Sequence, residues 1–395
     1  MTRIGQVSAG FLSVALLTGA GDQPGTMHHI KASELPKPYA TPGVDNSSET
    51  VARPKDTKPM VPKGFEISVY ASGLSNPRWM ALAPNGDVFL AEPNANKITL
   101  LHDGKPMTFA DGFNRPHGLA FHDGALYVGD LTAVWKLGYS DGAEHAGARA
   151  RVTTDGFGPP GGHSTRDIAF DRSGALYVAI GSQGNVGEEV APRATVQKVD
   201  GKGKLSTFAS GTRNPVGIAL YPGTNDLYVT VNERDGYGDG LVPDYLTRIQ
   251  QGDFYGWPYA YSGPHPDPSF GDKRPDLVAK TKTPDVLFQA HSAPLGVVFY
   301  DGAQFPADYK GDAFVSLHGS WNSGHPTGYK VVRVKFAHGR PVGDYQDFAT
   351  GFWDGSSSPA HVWGRPAGLL MLKDGSLLIA DDAGKTVWRV RYTGK

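Results

Sequence analysis

The chain contains no cysteine. That absence removes disulfides, thiolate metal sites, a lipidated cysteine and haem attached through a C-x-x-C-H motif. It also lacks an excess of either charge. Thirty-eight Lys and Arg stand against 39 Asp and Glu, for a formal net charge of −1. No bulk attraction to nucleic acid or to an anionic membrane surface is therefore expected. Beyond the N-terminus no apolar run approaches the ~20 residues a membrane span needs, so no transmembrane span is expected. There is no Walker motif and no G-x-S-x-G. The glycine run Gly236-Tyr237-Gly238-Asp239-Gly240 has the wrong spacing for a dinucleotide fingerprint, and no helical pattern follows it. Nicotinamide binding, nucleotide hydrolysis and serine-hydrolase chemistry are set aside on these grounds.

Turn-forming residues are plentiful: 52 Gly and 30 Pro in 395 residues, a composition that suits many short strands joined by tight turns. At the N-terminus Arg3 precedes an apolar run from Gly10 to Leu17, and Thr18-Gly19-Ala20 offers a small-residue cleavage site. Residues 1–20 read as a signal peptide, which places the mature protein in the periplasm or outside the cell. Residues 21–62 carry Gln23-Pro24-Gly25, Leu35-Pro36-Lys37-Pro38 and Thr41-Pro42-Gly43 with no hydrophobic period. They are expected as a flexible leader or an extended arm. The pair His28-His29 has no third ligand nearby and is not read as a metal site.

From residue 63 to 395 a pattern recurs. An outer strand ends in an aromatic-Ala-x-Gly turn, as at Tyr70-Ala71-Ser72-Gly73, Phe109-Ala110-Asp111-Gly112, Phe208-Ala209-Ser210-Gly211 and Phe348-Ala349-Thr350-Gly351. A short loop and an apolar hairpin follow. The hairpins span Met80 to Leu90, Gly118 to Val128, Ile168 to Val178, Gly217 to Val229, Gly296 to Val315 and Gly368 to Ile379. Asn85-Gly86, Asp123-Gly124, Ser173-Gly174 and Asp374-Gly375 supply turns that tolerate positive φ. Six all-strand units of about 40 to 60 residues predict an all-β fold, a six-bladed β-propeller. A two-sheet sandwich explains the strands but not the sixfold recurrence. The last unit offers three strands, and the first strand, Phe65 to Tyr70, has no blade before it. The N-terminal strand is therefore expected to close the last blade and remove two open edges.

The loops entering the innermost strands carry the chemistry. They read Asn76-Pro77-Arg78, Asn114-Arg115-Pro116-His117, His163-Ser164-Thr165-Arg166, Thr212-Arg213-Asn214-Pro215, His291-Ser292-Ala293-Pro294 and Gly364-Arg365-Pro366. Five of the six hold an arginine, and in a propeller they converge on one mouth of the channel. Such a rim suits a bound polyanion rich in carboxylates; the alternative is arginines paired with Asp and Glu across blades. His163 follows a stiff Pro159-Pro160-Gly161-Gly162 approach. It is either a catalytic base or a hydrogen-bonded structural residue. His117, His291 and His318 are lesser candidates. Two stretches exceed what a blade needs, Asn232 to Phe270 and Ser316 to Gly328, and long loops on a repeat scaffold are where function usually sits.

At these residues the sequence resembles the pyrroloquinoline-quinone-dependent sugar dehydrogenases of the soluble glucose, sorbosone and aldose dehydrogenase type. The matching pieces are His163 with Gly181-Ser182-Gln183-Gly184-Asn185, Arg213-Asn214-Pro215, Asn232-Glu233-Arg234-Asp235, Gly252-Asp253-Phe254-Tyr255-Gly256-Trp257-Pro258, His318-Gly319-Ser320-Trp321-Asn322 and Gly364-Arg365-Pro366. They extend from about Gly64 to Tyr392. The resemblance implies a six-bladed propeller with pyrroloquinoline quinone and a bridging Ca2+. It implies that His163 is the general base taking the proton from a sugar hydroxyl while hydride passes to the quinone. Arg213 and Asn214 would hold quinone and substrate, and Arg365 would clamp a cofactor carboxylate. Gln183, His318, Trp321 and Arg166 are further cofactor candidates. The backbone carbonyls of Arg234 and Asp235 would meet the calcium. Gly162, where glucose dehydrogenase has an acid, and His318, near its lysine, lean the resemblance toward the sorbosone or aldose branch. Electrons would pass to a separate acceptor, a cytochrome or a quinone. The rival readings are a calcium-dependent lactonase propeller, which wants acidic and amide side chains around a metal, and a non-catalytic binding propeller.

Overall fold

The computed structural model describes residues 22–394, so the expected signal peptide lies outside the described residues. Six sheets of four strands or more, antiparallel save for one short edge pair in the third, follow one another along the chain. The hairpin ends read from the sequence face each other in the ladders: Met80 opposite Leu90, Leu119 opposite Val128, Ile168 opposite Val178, Ile218 opposite Val229, Val297 opposite Val315 and Leu369 opposite Ile379. The first strands of successive sheets lie side by side, and that of the sixth returns to that of the first. The fold is a six-bladed propeller.

Small residues set how closely the inner strands approach. A Cβ on Gly217 would fall 2.2 Å from the Leu295 carbonyl oxygen, and one on Gly368 would fall 2.0 Å from that of Arg78. No side chain fits there, so glycine lets each inner strand sit directly against the next. Buried hydroxyls then stitch blade to blade. Thr230 donates to the Leu295 carbonyl at 2.7 Å, and Ser316 donates to that of Ala367. The cores lie between sheets, as in the cluster that joins Phe65, Phe305, Phe314, Phe348 and Trp388.

The ring closes as expected. Phe65–Ser72 pairs antiparallel with Thr386–Tyr392, with Phe65 opposite Tyr392 and Ser72 opposite Thr386. The chain from 22 to 62 is the extended arm rather than a loose leader. Met27–His28 adds to the edge of the fifth blade opposite Tyr345 and Gln346. Glu49–Thr50 pairs parallel with His361–Val362. Lys330, 1 % exposed, holds Asp347 and Asp22 of the arm, each at 3.0 Å. Between these contacts the arm crosses the mouth-side loops: Tyr39 donates its N–H to the Tyr237 carbonyl, and Asn46 donates to that of Trp321. No helix among the described residues is long and apolar enough to cross a membrane.

Candidate active site

His163 enters the third blade on a loop whose geometry is set by its neighbours. Gly162 adopts φ 67°, and a Cβ there would sit 2.4 Å from the Gln183 Cα. Only glycine lets the loop lie on that backbone. His163 then donates its backbone N–H to the Ser182 carbonyl at 3.0 Å, and its Nδ1 lies 2.8 Å from the same oxygen. A carbonyl only accepts, so Nδ1 carries the proton and Nε2 keeps its lone pair. Among the described residues Nε2 has no partner. Burial, and then the Arg213 guanidinium, push the imidazole pKa down to about 4. The ring is neutral at neutral pH and presents a basic nitrogen.

His163 lines a cavity of about 330 Å³ at the channel mouth, together with Arg213, Asn214, His318, Trp321 and Arg365. These six residues, all singled out from the sequence, thus meet at one place, although they come from four different blades. Gly181 makes the closest of these approaches possible: a Cβ there would be 2.3 Å from the Asn214 Oδ1 and 2.6 Å from the His163 Cβ. The Asn214 Oδ1 is buried without a partner. Arg365 donates Nε to the His318 carbonyl and Nη2 to that of Gly319, both at 3.0 Å. Its Nη1 has no partner among the described residues. Trp321 is 48 % exposed and forms an apolar wall. His318 holds Asp382 at 3.0 Å through Nε2, yet burial, followed by Arg365, brings it down to about 4. The same histidine and Arg78 hold the Asp382 carboxyl well below its ordinary range, against its burial.

Other expectations land elsewhere. The Arg166 side chain is 1 % exposed and lies behind the His163 loop, where Nη1 donates to the His163 and Thr165 carbonyls. Gln183 is exposed and donates to the Pro160 carbonyl at 3.2 Å, outside the loop. Neither lines this cavity. The Arg234 side chain is fully buried between Glu233 and Asp267, at 3.0 and 2.8 Å, so only its carbonyl stays available to a cation. The Asp235 carbonyl accepts from Asn185 at 3.0 Å. Among the described residues no three His, Asp or Glu side chains are arranged to hold a metal. His117 is buried against Trp79, with ring centroids 3.9 Å apart, away from the cavity.

The arginines of the rim divide. Arg213 pairs with Asp235 at 2.7 Å and gives its remaining donors to Asn185 and the Glu233 carbonyl. Arg78 pairs with Asp382 at 3.3 Å. Arg365 and Arg166 donate to carbonyls instead. The far wall is an acidic arc of Glu233, Asp235 and Asp244, with His291; sequence reasoning named Asp235 and His291 but missed the side chains of Glu233 and Asp244. Burial opposes ionisation of Asp235, but the His291 ring, with Nδ1 3.9 Å away, and the charge of Arg213 bring its pKa below the usual value. Burial pushes Asp244 up to about 7, although it accepts the N–H groups of Glu233 and Ala293 at 2.7 and 2.8 Å. The Glu233 Oε1 is buried and unpaired. Asp244 stands inside an apolar strand, Leu241-Val242-Pro243-Asp244-Tyr245-Leu246, and that placement was a readable signal.

A family model described as TrAA12-like matches residues 59–239 and 266–393. The chain belongs to the TrAA12-like family. A second model, Glucose / Sorbosone dehydrogenase, matches residues 190–325, a stretch that holds Arg213, Asp235, His318 and Trp321. The kinship with quinone-dependent sugar dehydrogenases read from the sequence holds at the level of the family. An uncharacterised protein of Borreliella burgdorferi is 29 % identical over 363 residues, 88 % of this chain and 94 % of that protein. Among solved structures, the holo pyranose dehydrogenase PQQ domain of Coprinopsis cinerea superposes with a TM-score of 0.72 at 19 % identity, covering 87 % of this chain and 99 % of that one. A calcium structure of a Trichoderma reesei family AA12 enzyme gives a TM-score of 0.72 at 19 % identity, covering 87 % and 100 %.

Proposed function

We propose that this TrAA12-like protein is a pyrroloquinoline-quinone-dependent sugar dehydrogenase that oxidises an aldose or aldehyde sugar of the sorbosone or aldose type. The observation that carries the reading is His163: a half-buried, neutral imidazole whose Nδ1–H is fixed on the Ser182 carbonyl and whose Nε2 is left with a free lone pair at a cavity. That is the arrangement a general base needs. The solved relatives named above include a PQQ domain in its holo form and a calcium structure, which supports the choice of cofactors.

The cavity fits an anionic quinone through specific groups. The Nη1 of Arg365 and the Oδ1 of Asn214 lack protein partners, and Trp321 gives a face for a flat ring. Arg213 contributes through its field and by shaping the wall, since its donors already serve Asp235, Asn185 and Glu233. Calcium would fall to backbone carbonyls, with those of Arg234 and Asp235 as candidates, and to the unpaired Oε1 of Glu233. When bound, the quinone supplies a two-electron acceptor for hydride from the sugar carbon. The chain's own part is to move the proton. Nε2 of His163 takes it from the sugar hydroxyl, the Ser182 carbonyl keeps the ring oriented, and Asp235 nearby favours the imidazolium that results. An external acceptor and an exported location complete the proposal.

The test is reconstitution. The purified protein is titrated with pyrroloquinoline quinone and Ca2+, followed by quinone absorbance and by dye reduction with a panel of aldoses. Saturable quinone binding with sugar-dependent dye reduction is expected. No quinone binding sinks the reading, and lactone hydrolysis with calcium alone would move it to the hydrolase rival.

A further inference from the structure

Behind the His163 loop lies a second cavity, of about 320 Å³, which neither the base nor the proposed quinone site uses. It is walled by Leu131, Thr132, Phe157 and Pro160, and two arginines, Arg166 and Arg193, line it. Both are almost entirely buried, at 1 % and 4 % exposed. No Asp or Glu lines the cavity. The acids whose fields reach the pair are engaged elsewhere. Asp130 accepts the N–H groups of Asn114, Thr132 and Ala133, and Glu189 accepts those of Gln183 and Gly184. Two cations are therefore buried side by side with no counter-charge in contact.

Their hydrogen bonds show which donors remain. Arg193 gives Nη1 to the Gly181 carbonyl at 3.1 Å, and Nη2 to the carbonyls of Pro159 and Gly161. Arg166 gives Nη1 to the carbonyls of His163 and Thr165 at 2.8 and 2.7 Å. Its Nη2 has no partner among the described residues, and the Nε atoms of Arg166 and Arg193 are buried and unpaired. The Phe157 ring lies 5.8 Å from the Arg166 guanidinium carbon. Burial, and then Arg193, lower the Arg166 pKa to about 9, the direction expected where no anion offsets the charge. Leaving such a pair uncompensated costs stability, and an anion would restore it.

We infer that this cavity binds a small organic carboxylate, its charge beside the guanidiniums of Arg166 and Arg193 and its apolar body against Phe157, Leu131 and Pro160. The volume is at the lower end of ligand pockets, and the walls are mostly apolar, which favours a carboxylate with an aromatic or aliphatic body over a polyhydroxylated acid or inorganic phosphate. Both guanidiniums lie against the backbone oxygen of His163, at 2.8 and 3.4 Å, so an occupant would be coupled to the base through the loop.

The experiment uses the full chain without quinone, so its failure is independent of the quinone reading. Benzoate and its neutral isostere benzamide are titrated calorimetrically at pH 7. Benzoate should bind at least tenfold more tightly than benzamide. Gly156 is exposed at the cavity's edge, has open space at its Cβ position and does not need a positive φ. Gly156→Trp should fill the space without touching either arginine and should weaken benzoate at least tenfold. Arg166→Gln should abolish the preference for benzoate. If Arg166→Gln fails to fold, the isostere pair and Gly156→Trp decide alone. No benzoate binding up to about 10 mM, equal binding of benzamide, or wild-type affinity in Gly156→Trp overturns the inference.

Discussion

Replacing His163 by Gln tests the base and its environment together. The amide can donate to the Ser182 carbonyl as Nδ1–H does, so the loop should keep its shape, but an amide cannot take a proton. A positioned base contributes ~10²–10⁴-fold, or ~2.7–5.5 kcal/mol at 1.36 kcal/mol per decade. His163→Gln should therefore bind quinone normally and lose at least ~10²-fold in turnover with an aldose and a dye acceptor. The pH profile supplies the sharper magnitude. With the pKa down at about 4, the imidazole is largely neutral at pH 5. An unperturbed histidine near 6.5 would be only ~3 % neutral there, a penalty of roughly thirtyfold. Between pH 5 and 8 the wild-type kcat/KM should change by less than about twofold on account of His163. A roughly thirtyfold rise from pH 5 to 8 that disappears in His163→Gln would refute the burial argument. Turnover at the wild-type rate in His163→Gln would refute the base itself. A step near pH 7 that survives in His163→Gln belongs to Asp244, which burial places at about 7.

Three further outcomes are expected. Gly181→Ala would force a Cβ to 2.3 Å from the Asn214 Oδ1, so it should cost ~1–3 kcal/mol of stability or displace His163 and Asn214, read as a drop in turnover and in thermal midpoint. Arg365→Ala removes the cation whose Nη1 faces no protein acceptor. It should weaken quinone reconstitution by roughly a hundredfold, at ~1.4 kcal/mol per tenfold, and an unchanged titration midpoint would remove Arg365 from the cofactor site. Deleting residues 1–62 should lower the thermal midpoint by breaking the Lys330–Asp22 pair and the arm's edge strand. Deleting through Gly73 should unfold the domain by opening the sixth blade, and equal midpoints for the two deletions would contradict closure by Phe65–Ser72.

The propeller was legible because each blade repeats a local code. An apolar hairpin with a Gly-bearing turn is specified by residues close in sequence, and the ladder registers match the hairpin ends within a residue. The site was legible to the extent that it rides on the same repeat. His163, Arg213, Asn214 and Arg365 all stand at entries to inner strands, and the fold must bring such entries to one mouth. The arm was legible only in part. Its composition lacks an apolar period, so nothing local predicts order. It is fixed by backbone bonds to loops from remote blades, such as Asn46 to the Trp321 carbonyl and Tyr39 to that of Tyr237. These partners lie hundreds of residues away, and their pairing has no sequence signature.

Charge compensation follows the same logic and explains why the arginine rim divides in a way that periodicity alone does not show. Periodicity locates a guanidinium but not its acceptor. Asp382 follows the sixth blade's second strand and Arg78 precedes the first blade, and they meet only because the ring closes. Asp235 reaches Arg213 from the long loop after the fourth blade's second strand. Once those two are neutralised, the arginines without a carboxylate stand out: Arg365 at the His163 cavity, and Arg166 with Arg193 behind it. Buried cations left unmatched are costly, so the positions where the fold retains them are those where an anion from outside has the most to gain. The one loop that separates the two cavities, Pro159 to His163, is held on one side by Ser182 and on the other by the two arginines. A base placed on that loop is oriented from both faces before any ligand arrives.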